Sequence, residues 1–176
     1  MSELSVGQLK GLAVNNNAIT VPSGHVVYAP GHIIQVQSVS KTNSMSNTST
    51  SWQDIPGMAV SITPKLATSK ILVSFNIGMA NASSSWGLLQ LWRNSTAIAV
   101  TTLTTNATFV SNLASAAASE MVPVAMSYMD SPATTSAITY KLTVRNDNSA
   151  TTTWVGSRTG GDIGMVSNIT VMEIAQ

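Results

Sequence analysis

Apolar and polar residues alternate through most of the chain beyond residue 33, which predicts strands and not helices. The clearest case is Lys70–Met79. Ile71, Val73, Phe75, Ile77 and Met79 fall on one face, and Leu72, Ser74, Asn76 and Gly78 on the other. Side chains of an extended chain point alternately to its two faces, so a sustained period of two marks a strand with one buried side. Ala137–Arg145 repeats the pattern, with Ile138, Tyr140, Leu142 and Val144 inward and Thr139, Lys141, Thr143 and Arg145 outward. Met121–Met129 does so with Val122, Val124, Met126 and Tyr128.

The remaining segments are shorter. Ile33–Val39 is expected to put Ile34 and Val36 on one face, and the polar run Ser38–Ser51 reads as a long loop. Trp52–Thr63 carries Met58, Val60 and Ile62 on one side, and its internal Pro56-Gly57 predicts a bulge or a sheet edge. Trp86–Arg93 is a strand that turns through Asn94-Ser-Thr into Ala97–Thr101. Thr102–Leu113 predicts one or two short strands, and the Ala/Ser-rich Asn112–Glu120 at most one turn of helix. Asn146–Ser149 reads as a turn, Thr151–Gly156 as a short strand, Gly160-Gly-Asp as a loop and Asn168–Ile174 as the closing strand. Eight to ten strands with turns at this spacing predict an all-β antiparallel β-sandwich, jelly-roll-like in connectivity, over residues 33–176.

Residues 1–32 follow a different plan. Fragments such as Leu4–Val14 and Ala18–Val21 are too short to enclose a core. They predict an extended N-terminal arm held by the body, by sister copies or by a larger partner. The connector Ile19–Val36 has two joints, Pro22–Gly24 and Pro30–Gly31, where Pro fixes φ and Gly permits positive φ. Pro22, Gly24, Pro30 and Gly31 are therefore the expected hinge of an anchoring arm.

Composition narrows the classes of function. Of 176 residues only 9% are charged, against about 25% in an average domain, while 25 Ser, 21 Thr and 13 Asn make up a third of the chain. Outward faces that carry Ser, Thr and small apolar residues resist neighbours poorly, so some are expected to meet other subunits. The eight Lys and Arg residues are scattered singly from Lys10 to Arg158, with no basic patch for phosphates, so nucleic acid is not an expected partner. Without cysteine there is neither a disulfide framework nor a thiolate metal site. Met1-Ser-Glu-Leu-Ser-Val lacks the basic and apolar parts of a secretory signal, and no apolar run approaches the ~20 residues of a membrane span. A soluble product of a cytosol, with no membrane insertion, is expected.

Catalytic chemistry finds little footing. His25 and His32 are the two histidines, each following a glycine. Three copies of one of them could meet on a trimer axis and hold a metal, but the ordinary reading is a turn histidine. Glu3, Asp54, Glu120, Asp130, Asp147, Asp162 and Glu173 show no spacing that pairs two carboxylates for glycoside hydrolysis. No nucleophile elbow, P-loop, zinc-protease helix or dinucleotide fingerprint occurs. The chain is therefore read as non-enzymatic, with no catalytic residue, metal or cofactor. Trp52, Trp86, Trp92 and Trp154 are the candidate interface or glycan contacts, because indole faces suit the apolar faces of pyranose rings.

Several phrases carry a resemblance. Ser5-Val-Gly-Gln-Leu-Lys-Gly-Leu-Ala-Val, Ile19-Thr-Val-Pro-Ser-Gly-His and Ala29-Pro-Gly-His-Ile-Ile-Gln-Val come first, followed by the Ser/Thr run Lys41–Ser51. Ile55-Pro-Gly-Met-Ala-Val-Ser-Ile-Thr-Pro, Ser69-Lys-Ile-Leu-Val and Ser167-Asn-Ile-Thr-Val-Met-Glu-Ile-Ala-Gln complete the set. Together they resemble virion surface proteins of tailed bacteriophages, notably those of cyanobacteria and other marine bacteria. The resemblance implies a jelly-roll-like body that forms a homotrimer on the outer surface of a virion after synthesis in the host cytoplasm. The first expectation is a capsid decoration (cement) protein whose arm grips capsid subunits. The alternatives are a short tail-fibre or receptor-binding protein whose arm plugs into the tail and whose loops meet host glycans, and a carbohydrate-binding lectin-like module. No heptads, β-helical repeats or collagen-like triplets are present to build a fibre shaft, which favours a compact knob.

Overall fold

Eleven antiparallel strands order the described part of the chain: β1 (Ile33–Lys41), β2 (Met45–Asn47), β3 (Gln53–Ile62), β4 (Lys70–Asn81), β5 (Trp86–Arg93), β6 (Thr96–Ile98), β7 (Phe109–Asn112), β8 (Val122–Asp130), β9 (Ile138–Asn146), β10 (Thr153–Val155) and β11 (Ser167–Ile174). The structure is a computed structural model that describes residues 29–81, 86–104, 106–112, 120–158 and 163–176, with residues 11, 13–15, 19, 21, 22, 25 and 27 of the N-terminal segment; for 109–112 it describes the backbone alone. The expected helical turn in Asn112–Glu120 and the Gly160-Gly-Asp loop fall almost wholly outside these residues, as does most of the arm, Gly24 included.

The strands form two sheets. In the first, β1, β11, β4 and β8 lie side by side, and β10 and β2 extend it. Met79 pairs with Val122 of β8 and with Val155 of β10, so these two strands flank β4 on opposite sides. Strand β10 therefore continues the column of β11, and β2, paired to β10, continues that of β1. In the second sheet β3, β9 and β5 are followed by β6 and β7, which share the far edge of β5. Taken as eight main strands, the orders β1-β11-β4-β8 and β3-β9-β5-β7 are those of a jelly roll.

The core lies between the sheets and follows the predicted alternation. Ile71, Val73, Phe75, Ile77 and Met79 of β4 are buried, and so are Ile169 and Val171 of β11. From the other sheet come Met58, Val60 and Ile62 of β3, Leu89 and Leu91 of β5, and Ile138, Tyr140, Leu142 and Val144 of β9. Burial of each large apolar side chain contributes about 1.5–3 kcal/mol against the cost of ordering the chain. On β8 only Val124 of the expected face is fully buried; Met126 and Tyr128 are half-buried, because among the described residues β8 pairs β4 alone.

Three local differences from the sequence reading have physical causes. Ser38–Ser51 is not one long loop, since β1 runs on to Lys41 and β2 follows. Ser38 and Ser40 sit on the outward face opposite Thr170 and Asn168, where hydroxyls suit a strand. Ile34 and Val36 do not share a face, because a bulge between Ile33 and Gln35 shifts the phase of β1. Val36 is thereby turned outward at 49% exposure, and Val39 packs on the core instead. Strand β6 ends at Ile98, short of the expected Thr101, where Ala99 takes a positive φ of 53°.

Pro56-Gly57 produces both features expected of it. The register of β3 shifts between Asp54 and Ala59, Gly57 adopts φ 83°, and β3 is the edge of its sheet.

Candidate binding surfaces

The two outward faces of the sandwich are chemically unlike. On the first sheet, Val36, Met172, Leu72 and Met129 stand in one register row across β1, β11, β4 and β8. The next row is Ser38, Thr170, Ser74 and Ser127, and the third is Ser40, Asn168, Asn76 and Ala125. None of these twelve residues is charged. Within the hydroxyl row Ser38 and Thr170 are hydrogen-bonded at 2.8 Å, and Ser74 and Ser127 at 3.1 Å. The result is an uncharged patch of twelve residues that goes from apolar to hydroxyl to amide, with Lys70, paired to Ile174, in the row beyond Leu72.

The second sheet carries charge and aromatic rings. Strand β9 is its floor, with Lys141, Thr143 and Arg145 pointing outward between β3 and β5. Register places Trp92 of β5 opposite Lys141 and Asp54 of β3 opposite Thr143. With Trp52, Asn94 and Ser95 they line a recess of about 430 Å³. Lys141 Nζ donates to both carboxylate oxygens of Asp54, at 2.7 and 3.0 Å, and lies 5.9 Å from the centre of the Trp92 ring. The Arg145 guanidinium lies 5.1 Å from the Trp52 ring, a cation–π distance. Trp92 Nε1 donates to Thr143 Oγ1 at 3.0 Å, which fixes the indole in its half-buried seat.

Asn94 occupies the tight turn between β5 and β6 at φ 52°, a conformation asparagine tolerates better than most residues. Its backbone N–H donates to Thr139 O at 2.8 Å, and its side-chain oxygen accepts from Thr139 N at 2.9 Å. Its amide nitrogen has no partner among the described residues.

The four tryptophans are thus not one platform. Trp52 and Trp92 meet at the recess. Trp86 lies at the other end of β5, 44% exposed, with its backbone N–H donating to Asp147 Oδ1 at 2.9 Å. Trp154 belongs to β10 in the other sheet, opposite Ala80 and Ser46.

The second joint of the connector is well defined. Ala29-Pro30-Gly31-His32 is a tight turn closed by His32 N–H to Ala29 O at 2.9 Å, with Gly31 at φ 83°. Pro at the second position and a positive-φ Gly at the third are what a type II turn requires. The turn is docked on the end of the chain: Gly31 N–H donates to Ala175 O at 2.8 Å, and Ala175 N–H to His32 O at 2.9 Å. At the first joint His25 N–H donates to Pro22 O at 3.1 Å. His25 and His32 border one small recess of about 190 Å³ with Val21, Val27 and Ile34. Among the described residues no group of three metal-ligating side chains forms.

The carboxylates are separated by their partners. Asp54 is bound to Lys141. Asp130, at the end of β8, accepts from Arg93 Nη1 at 2.9 Å on each oxygen, and from the Tyr140 hydroxyl at 2.7 Å. Burial and that hydrogen bond push the ionisation of Tyr140 well above the ordinary tyrosine range. Glu173 is fully buried and accepts from the backbone N–H groups of Lys65 and Leu66 at 2.8 and 3.1 Å and from Gln35 Nε2 at 2.6 Å. It pins the β3–β4 connection to β11. Lys41 is 3% exposed, donates to Asn43 Oδ1 at 2.6 Å, and is held below its usual pKa by burial. Sequence reasoning did not single out Asp130, Glu173 or Lys41. A signal existed for Glu173, which shares the phase of Ile169 and Val171.

No protein-family model matches the chain, and a search of curated proteins returned no match.

Proposed function

We propose that the chain is a non-enzymatic structural subunit of a tailed-phage virion, a homotrimer held by its N-terminal arm, in the role of a capsid decoration protein. The observation that carries this reading is the uncharged twelve-residue patch on the outer face of the first sheet. Charged side chains on exposed sheets keep neighbouring chains apart, and here twelve adjacent positions on four strands have none. Hydroxyl and amide rows both donate and accept, so such a face suits a copy of itself. Beside it, β1 pairs β11 alone among the described residues and follows directly on the connector. A free strand edge offers backbone hydrogen bonds to an added strand, and three arms on one trimer would act together, so modest single contacts give slow release. The resemblance of the connector and closing strand to phage virion proteins points the same way.

Deletion of Met1–Pro30 tests the anchor. The truncated chain is expected to remain a soluble trimer that no longer joins particles; full occupancy of particles by the truncated protein would sink the proposal.

A second reading, a receptor-binding or tail-fibre protein, is favoured by the Trp52–Trp92 recess. It predicts that purified protein binds host cells or blocks infection. The decoration reading predicts neither, and loss of the protein should instead lower the resistance of particles to heat and osmotic shock.

A further inference from the structure

We propose that the recess between Trp52 and Trp92 binds a neutral saccharide, one pyranose ring lodging against the indoles. The inference stands on the recess alone and holds whichever virion position the protein occupies. A volume of about 430 Å³ falls within the range of small-ligand sites, roughly 300–1,000 Å³. Each indole presents a large apolar surface with a polar edge, which matches a sugar ring whose C–H face is apolar and whose rim is hydroxylated. Both rings are already held in place. The Thr143 hydrogen bond and Lys141 fix Trp92, and the Arg145 guanidinium covers Trp52. Little rotamer freedom remains to be lost when a ligand arrives.

The polar groups suit hydroxyls. Asp54 supplies carboxylate oxygens, and Asn94 supplies an amide nitrogen without a partner among the described residues. Both belong to side chains anchored from elsewhere, Asp54 by Lys141 and Asn94 by the backbone of Thr139. The charge argues for neutrality. Lys141 already neutralises Asp54 and Arg145 is engaged on Trp52, so among the described residues an anionic ligand would find no free cation in the recess.

The test titrates the full-length protein with free glucose, galactose, mannose and N-acetylglucosamine while indole N–H signals are followed by NMR. At least one of the four sugars is expected to bind saturably in the millimolar range and to shift the Trp52 and Trp92 signals, leaving Trp86 and Trp154 in place. Asp54→Asn, which keeps the shape of the side chain, should weaken binding about tenfold without changing the melting temperature. Trp92→Ala should abolish binding, with Trp92→Phe retaining part of it as a control for folding. The proposal is overturned if none of the four sugars shifts the Trp52 and Trp92 signals, if the shifts fall on Trp86 or Trp154, or if D54N binds as well as the parent. Deletion of Met1–Pro30 should leave sugar binding unchanged, which separates failure of this inference from failure of the anchor.

Discussion

The Tyr140 hydroxyl donates a 2.7 Å hydrogen bond to Asp130 Oδ2, joining β9 of one sheet to β8 of the other. Asp130 also receives Arg93 Nη1 from β5, so one carboxylate ties three strands together at one end of the sandwich. The hydrogen bond exists only while the phenol keeps its proton.

That dependence gives a pH signature. Tyr140 is 0% exposed and its ionisation lies far above the unfolded value of 10.0. The folded state therefore holds this proton more tightly than the unfolded one. The corresponding stability is fully present below pH 10 and is lost as the pH rises above it, at up to about 1.4 kcal/mol per pH unit. Tyr140→Phe should cost about 2 kcal/mol at neutral pH, the worth of a hydrogen bond to a charged group. Urea titrations repeated above pH 10 should show that gap shrinking. A gap constant with pH would contradict the assignment.

Glu173 makes a different test of a buried acid. Glu173→Ala strands the Lys65 and Leu66 N–H groups and the Gln35 amide, and should destabilise by about 3 kcal/mol. Glu173→Gln keeps one oxygen for the two backbone donors, but its new amide nitrogen faces Gln35 Nε2, which a second hydrogen bond to Thr63 O at 2.7 Å holds in that orientation. Its cost should be about 1–2 kcal/mol, smaller than that of Glu173→Ala, as read from denaturant midpoints.

Gly31 is required for its φ and not for space, since a Cβ there would meet nothing within 4 Å. Gly31→Ala should cost about 1–2 kcal/mol, the penalty of a side chain in the left-handed region. Any larger loss of thermal stability would mean that the turn's docking on Ala175 had failed as well.

The uncharged face can be tested with one charge. Ser127 is exposed at the end of the hydroxyl row, so Ser127→Glu should change the folding stability of a single chain by no more than about 0.5 kcal/mol. If the protein is the proposed trimer and this face joins its copies, the same substitution converts it to monomers in sedimentation. A variant that sediments as the trimer would remove the face from the interface.

The sandwich was legible because period-two patterning is a local property, and Lys70–Met79 and Ala137–Arg145 display it without interruption. Phase errors arose where the backbone inserts a residue. The bulge near Ile34 has no Gly or Pro to announce it, whereas the one in β3 carries both Pro56 and Gly57. The pairing of Trp52 with Trp92 depends on β9 lying between β3 and β5, and no local pattern contains that register. The same holds for Asp130, whose partners Arg93 and Tyr140 are on two other strands. Composition foretold a face without charge but not which one; the jelly-roll order gathers the scattered Ser, Thr and Asn positions into rows.

The docking of Gly31 and His32 on Ala175 bears on how the protein can be labelled. Gly31 and His32 lie one ladder rung from the last strand, so a tag or cargo domain fused after Gln176 emerges beside the Pro30–Gly31 turn and crowds it. The exposed turn Asp147–Ala150 leaves the opposite end of β9 from Ile138 and Tyr140, far along the strand from the Asp130 cluster. A peptide inserted at Asn148–Ser149 is carried away from the Pro30–Gly31 turn and leaves the strand pairing intact, which makes that turn the natural position for displaying an epitope.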